Sequence, residues 1–134
     1  MAEVVLVDED MNILIVDDFS TMRHMIGNML REIGFSNISE AESGEEALPI
    51  LRLDKFDFIV TDWNMPGMCG FTFMNKLKGD ESLCRIPVLM VTAEDDAEQI
   101  NRATDAGVDG YVVKPFNATI LRDRIENIVV SVRL

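Results

Sequence analysis

Four short apolar runs each end on a residue that can handle a phosphate or a metal ion. Ile13-Leu14-Ile15-Val16 runs into Asp17-Asp18, Phe58-Ile59-Val60-Thr61 into Asp62, Val88-Leu89-Met90-Val91 into Thr92, and Tyr111-Val112-Val113 into Lys114. Each has an ordinary meaning on its own. An Asp after a strand starts a turn or caps the next helix, a Thr there is a turn hydroxyl, and a Lys before Pro is an exposed charge. If the runs are parallel strands of one sheet, however, their carboxyl ends form the edge at which such sheets bind ligands. Three carboxylates, a hydroxyl and an ammonium would then converge, and the opposite strand ends carry no such set.

Clustered carboxylates repel one another, so they need a cation nearby or must hold protons. Hard oxygen donors without His or Cys favour Mg2+, with Mn2+ as a substitute, and Mg2+ usually shares its shell between a few carboxylates, waters and a phosphate oxygen. That combination suits phosphoryl transfer: a carboxylate as nucleophile, the metal and Lys114 against the charge on phosphoryl oxygens, and Thr92 as a hydrogen-bond donor. Asp62 is the better nucleophile. It stands alone on a central run, and the following Trp63-Asn64-Met65-Pro66-Gly67 loop can lend a backbone carbonyl to the ion. Asp17 and Asp18 are then metal holders.

The elements that would position these groups alternate in type. Strands are predicted near 12–17, 37–41, 57–62, 87–92 and 110–114, and helices near 20–33, 44–54, 71–79, 95–106 and 118–131, with boundaries good to about 2–4 residues. Met22, Met25, Ile26, Met29, Leu30 and Ile33 recur at helical spacing, which predicts a methionine-rich core stripe, and Gly34 stands where a left-handed cap belongs. Leu121, Ile125, Ile128, Val129 and Val132 repeat the pattern in the last helix. Ser43-Gly44-Glu45-Glu46 has the form of a capping box, and Pro49 behind it predicts a kinked or shortened helix. Connections long enough to hold a helix join successive strands, as parallel pairing requires, so the fold class is α/β with a doubly wound, five-stranded parallel sheet.

At 134 residues the chain has the length of one domain. Residues 1–11 read as an N-terminal extension and 12–134 as the domain, with no output domain expected after it. Val4-Val5-Leu6-Val7-Asp8-Glu9-Asp10 imitates the first strand, but no crossover separates the copies; a loose tail is expected, an added edge strand being the alternative. With 12 basic against 24 acidic residues the net charge is −12, which repels a phosphate backbone and argues against nucleic-acid binding. No apolar run is long enough for a membrane helix and no secretory signal opens the chain, so a cytoplasmic protein is expected, with Cys69 and Cys84 reduced.

In Val16-Asp17-Asp18-Phe19-Ser20-Thr21-Met22-Arg23, Asp62-Trp63-Asn64-Met65-Pro66, Val88-Leu89-Met90-Val91-Thr92-Ala93-Glu94 and Gly110-Tyr111-Val112-Val113-Lys114-Pro115-Phe116 the chain resembles the receiver domain of two-component response regulators, and in particular the single-domain chemotaxis regulators. The likeness covers about residues 12–131. It implies a flavodoxin-like sheet of strand order 2-1-3-4-5. It also implies that Asp62 accepts a phosphoryl group from a chemotaxis-type histidine kinase. Asp18, Asp62 and the Asn64 carbonyl would bind Mg2+, Asp17 would assist through water, and Lys114 and Thr92 would contact the phosphoryl group. In the family, Thr92 moves toward the phosphate as Tyr111 turns inward, and side chains at the Asn64 and Glu94 positions tune hydrolysis. The partners implied are the kinase, a phosphatase, and the flagellar switch protein or another phosphorylation-dependent target. Neither nucleic acid nor membrane is among them. Such a protein is not an enzyme toward outside substrates, although it catalyses its own phosphoryl transfer and autodephosphorylation.

Some positions depart from the chemotaxis pattern. Cys69 stands where that pattern has Asp, with an inert thiol expected, and Asp95-Asp96-Ala97-Glu98 replaces a lysine-containing stretch at the start of the fourth helix. The acidic stretch bears on partner choice, because charges at an interface rim steer encounter; it also suits a helix N-terminus. A phosphate sink or adaptor that does not act on the motor is therefore the alternative function. A Mg-dependent aspartyl-phosphate phosphatase ranks lower, since Asn64 stands where such enzymes place an acid/base Asp. A flavin-binding flavodoxin ranks lower too, since Asp17-Asp18 would repel its phosphate.

Overall fold

A computed structural model of the chain describes residues 8–93 and 97–133. The elements are β1 (Asn12–Val16), α1 (Ser20–Ile33), β2 (Asn37–Ala41), α2 (Gly44–Leu53), β3 (Phe58–Asp62), α3 (Gly70–Lys78), β4 (Val88–Thr92), α4 (Ala97–Asp105), β5 (Gly110–Val113) and α5 (Ala118–Arg133). All strand pairs are parallel, in the order β2-β1-β3-β4-β5. The expected architecture and strand order are therefore present. No helix among the described residues is long and apolar enough to cross a membrane.

Alternation along the strands divides the core in two. Leu14, Val16, Ile59, Val88 and Met90 pack with α2, α3 and α4, whereas Ile13, Ile15, Phe58, Val60, Leu89, Val91 and Val112 pack with α1 and α5. Because β1, β3 and β4 are buried on both faces, they read as unbroken apolar runs. The ladder continues past the strand ends. The amide of Asp17 donates to the Ala41 carbonyl at 3.1 Å, that of Trp63 to Val91 at 3.1 Å, and that of Lys114 to Thr92 at 2.8 Å. Neighbouring strands thus hold the backbone of the site residues.

Local structure departs from expectation in four places. Met25 is 46% exposed, so the α1 stripe narrows to Ile26 and Leu30, fully buried, with Met22, Met29 and Ile33 partly so. Of the kink or shortening expected at Pro49, the shortening does not occur: helix α2 runs through it to Leu53. Its missing amide falls in the second turn, where tertiary packing of Ala47, Leu48 and Leu51 outweighs one lost bond. The capping box is split: Ser43 Oγ accepts from the Glu46 amide at 3.1 Å, while the Glu46 carboxylate accepts from Glu42 rather than from the cap residue. Finally, part of the expected tail is tied down. Met11 is buried, its amide donates to the Asp8 carbonyl, and Asn37 Nδ2 donates to the Asp10 carbonyl at 3.0 Å. Residues 1–7, and with them most of the imitation strand, lie outside the described residues.

Gly34 closes α1 at φ +131°, as its position in the sequence predicts; its amide and that of Phe35 both donate to Leu30, and Phe35 is buried behind the turn. This short stop returns the chain to β2 and leaves the start of α1 beside the end of β1.

Candidate functional site

Oxygens of Asp17, Asp18 and Asp62 lie within 4.8 Å of one another at the carboxyl edge of the sheet. Asp17 and Asp62 are buried and Asp18 is exposed, so two of the carboxylates sit in the interior and the third faces water. Asp17 Oδ1 accepts from the Phe19 amide at 2.9 Å, and its Oδ2 is buried with no hydrogen-bond partner among the described residues. Such an orphaned acceptor is rare and costly. Aspartates at the other end of the sheet show the contrast. Asp57 accepts from the Asn12 amide at 2.9 Å and Asp109 from the Val88 amide at 2.8 Å, each satisfying a strand start.

Electrostatics agree with an arrangement made for a cation. Burial pushes the Asp17 carboxyl above the usual carboxylate range, and the charges of Asp62 and Asp18 push the same way, against the Phe19 amide and the Lys114 ammonium. Asp62 is raised chiefly by burial as well, with Asp18 adding to it and Lys114 opposing it. Lys114 Nζ lies 3.6 Å from Asp62 Oδ1, close enough for attraction but longer than a good hydrogen bond. One ammonium cannot neutralise three carboxylates. The hard oxygen donors and the unpartnered Asp17 Oδ2 fit a divalent ion.

The loop that carries Asp17 is held by a residue whose role the sequence did not reveal. Arg23, on the first turn of α1, donates from Nη1 to the Asp17 carbonyl at 2.7 Å and from Nε to Glu40 on β2 at 3.0 Å; its side chain is only 13% exposed. An Arg six residues after an Asp has no distinctive spacing, and Glu40 is remote in the chain, so nothing local signals this clamp. Beyond β3, Trp63 is buried against the first residue of α3: its carbonyl accepts from the Gly70 amide at 2.9 Å, and a Cβ at Gly70 would collide with its ring. Asn64 is exposed on the same loop.

Thr92 is fully buried, and its Oγ1 accepts from Gln99 Nε2 at 3.1 Å, a contact that the sequence did not suggest. Tyr111 is 37% exposed. Glu94, Asp95 and Asp96 lie outside the described residues. Cys69, expected to be inert, is an exposed free thiol at the start of α3, and hydrogen bonds from Thr72 hold its pKa below the ordinary thiol value.

Residues 13–126 match the model of the response regulator receiver domain. The chain is 58% identical over 118 residues to the chemotaxis protein CheY of Pseudomonas aeruginosa, covering 88% of this chain and 95% of that protein. It is 52% identical over 123 residues to chemotaxis protein CheY-3 of Vibrio cholerae, covering 92% and 95% respectively. Among solved structures, that of Vibrio cholerae CheY4 superposes with a TM-score of 0.83 at 32% identity, over 89% of this chain and 98% of that one. With this sheet order, this acidic edge and this extent of match, the chain belongs to the response regulator receiver domain family.

Proposed function

We propose that this protein is a response regulator phosphorylated on Asp62 by a histidine kinase in a Mg2+-dependent reaction, and that it signals in chemotaxis by phosphorylation-dependent binding to the flagellar motor switch. The observation that carries this reading is the acidic cluster with its orphaned Asp17 oxygen and the Lys114 ammonium beside Asp62. Asp17, Asp18, Asp62 and the Asn64 carbonyl would hold the ion. When bound, Mg2+ supplies positive charge against the carboxylates and the phosphoryl oxygens.

The chain's own residues do the rest. Asp62 presents a carboxylate oxygen to phosphorus; an O–P bond forms there as the N–P bond of phosphohistidine breaks, and the electron pair leaves on the imidazole. Lys114 is placed to shift from the carboxylate to a phosphoryl oxygen, replacing a 3.6 Å ion pair by a stronger contact to the new dianion. The Thr92 hydroxyl donates a second hydrogen bond, and inward rotation of the half-exposed Tyr111 carries the change to the α4–β5–α5 surface. Glu94 and Asn64 set access of water to the acyl phosphate. A cytoplasmic setting, where the kinase resides, belongs to the same reading.

The acidic start of α4, where Glu98 follows Asp95 and Asp96, favours a second reading in which the protein is a phosphate sink or adaptor with another target. Trp63 adjoins Asp62 and is buried beside the site, so its fluorescence reports both steps. A saturable response to Mg2+ and a further response to beryllofluoride that is lost in Asp62→Asn are expected. A folded protein that binds no Mg2+ would overturn the mechanism. Retention of purified switch protein only by the beryllofluoride form separates the motor reading from the sink.

A further inference from the structure

Thr92 closes β4 on the face of the sheet away from Asp62. Along β4, Val88 and Met90 lie in the core beneath α2, α3 and α4, while Leu89 and Val91 lie beneath α1 and α5, so Thr92 takes the α4 side. Along β3, Phe58 and Val60 belong to the α1–α5 side, and Asp62 follows their parity. The Thr92 hydroxyl is therefore turned toward α4, where Gln99 donates to it at 3.1 Å from the first turn of that helix. To donate to a phosphoryl group on Asp62, the hydroxyl has to swing from this face to the sheet edge. The Gln99 amide must then follow with a shift of α4 or release the hydroxyl. It does have room to let go, because Gln99 also lines an open cavity of about 290 Å³ shared with Trp63, Phe71 and Arg102.

We infer that Gln99 is a latch on the switch: a positioning residue that holds Thr92 in its resting rotamer, so that phosphorylation must break the bond and thereby frees the start of α4. The inference rests on Asp62 being the phosphoacceptor and adds the element that opposes activation. The latch biases a two-state equilibrium toward rest, and removing it favours the state that binds the phosphoryl group.

The test combines Gln99→Leu, Thr92→Val and the double variant in the full chain, with beryllofluoride as the phosphoryl analogue and Mg2+ affinity as the control for an intact site. Gln99→Leu is expected to bind beryllofluoride about 3- to 10-fold more tightly, the scale of one net hydrogen bond, with Mg2+ affinity unchanged. In the Thr92→Val background the same substitution should have no effect, because the partner is gone. Without any analogue, carbon–carbon couplings to the Thr92 methyl group should report a smaller share of the resting rotamer in Gln99→Leu than in the wild type. An unchanged rotamer, an unchanged or weaker beryllofluoride affinity, or the same gain in the Thr92→Val background would each overturn the latch while the wild-type response stands. A wild type that ignores beryllofluoride would instead overturn the phosphoacceptor reading, and the latch with it.

Discussion

Asp17 shows how a single side chain of the acidic cluster can be costly to the fold. One of its oxygens is used by the Phe19 amide; the other is buried without a partner, beside two more carboxylates. Burial raises the folded pKa of Asp17 and of Asp62 above the ordinary value of 3.8. Because the folded state holds these protons more tightly than the unfolded chain, their favourable contribution is present at low pH and is lost as pH rises from 3.8 through the raised folded values. At neutral pH the metal-free protein therefore carries an uncompensated cost. Asp17→Asn should raise the metal-free melting temperature at pH 7 by roughly 3–8 °C, corresponding to about 1–2 kcal/mol, and should flatten the decline with pH. Mg2+ should stabilise the wild type but hardly the variant, whose Mg2+ affinity should fall about tenfold or more. Thermal melts from pH 4 to 7, with and without the metal, check this. An Asp17→Asn variant that melts lower than wild type without metal would contradict the account.

Among the elements, the β3–α3 connection shows best how packing sets a functional loop. Gly70 starts α3 directly under the Trp63 ring, with its amide bonded to the Trp63 carbonyl, so the helix can begin against the indole only if no side chain intervenes. Gly70→Ala should displace the indole and the Asn64 carbonyl together. It should weaken Mg2+ binding by about 10-fold, shift Trp63 emission to the red, and cost about 1–3 kcal/mol of stability by overpacking. Unaltered emission and affinity would show that the loop is set elsewhere. This contact also marks the boundary of what the sequence made legible. Strands buried on both faces declare themselves as apolar runs, and ladder bonds at their ends carry Asp17, Asp62 and Lys114 to one edge, so the sheet and the acidic cluster could be read residue by residue. Interactions across elements could not. The Arg23–Glu40 clamp and the Gln99–Thr92 bond join residues with no shared period, and Met25 keeps helical spacing yet faces solvent because the α1 contact stripe is narrower than its apolar pattern. At Pro49 the local rule for proline yields to packing of the surrounding apolar face.

For the whole molecule, the net charge of −12 and the site belong to one electrostatic problem. Twelve more acidic than basic residues create a negative field that would attract a divalent cation and repel a phosphate donor; on the proposed function, an ion held at the acidic edge would reduce the second effect. The local and long-range contributions differ in range. The cluster at 4.8 Å lies well within a Debye length at any ordinary ionic strength, whereas the rest of the surface is screened by salt. Raising KCl from about 20 to 200 mM should therefore weaken Mg2+ binding by about 3- to 10-fold without abolishing it, as read from Trp63 fluorescence. Reversing two acidic residues outside the cluster, Asp54→Lys with Asp123→Lys, should reduce that salt dependence while leaving the high-salt affinity in place. A Kd that does not change with salt would mean that Asp17, Asp18 and Asp62 alone determine metal affinity. The overall acidity would then act elsewhere, on encounter with the proposed kinase and target.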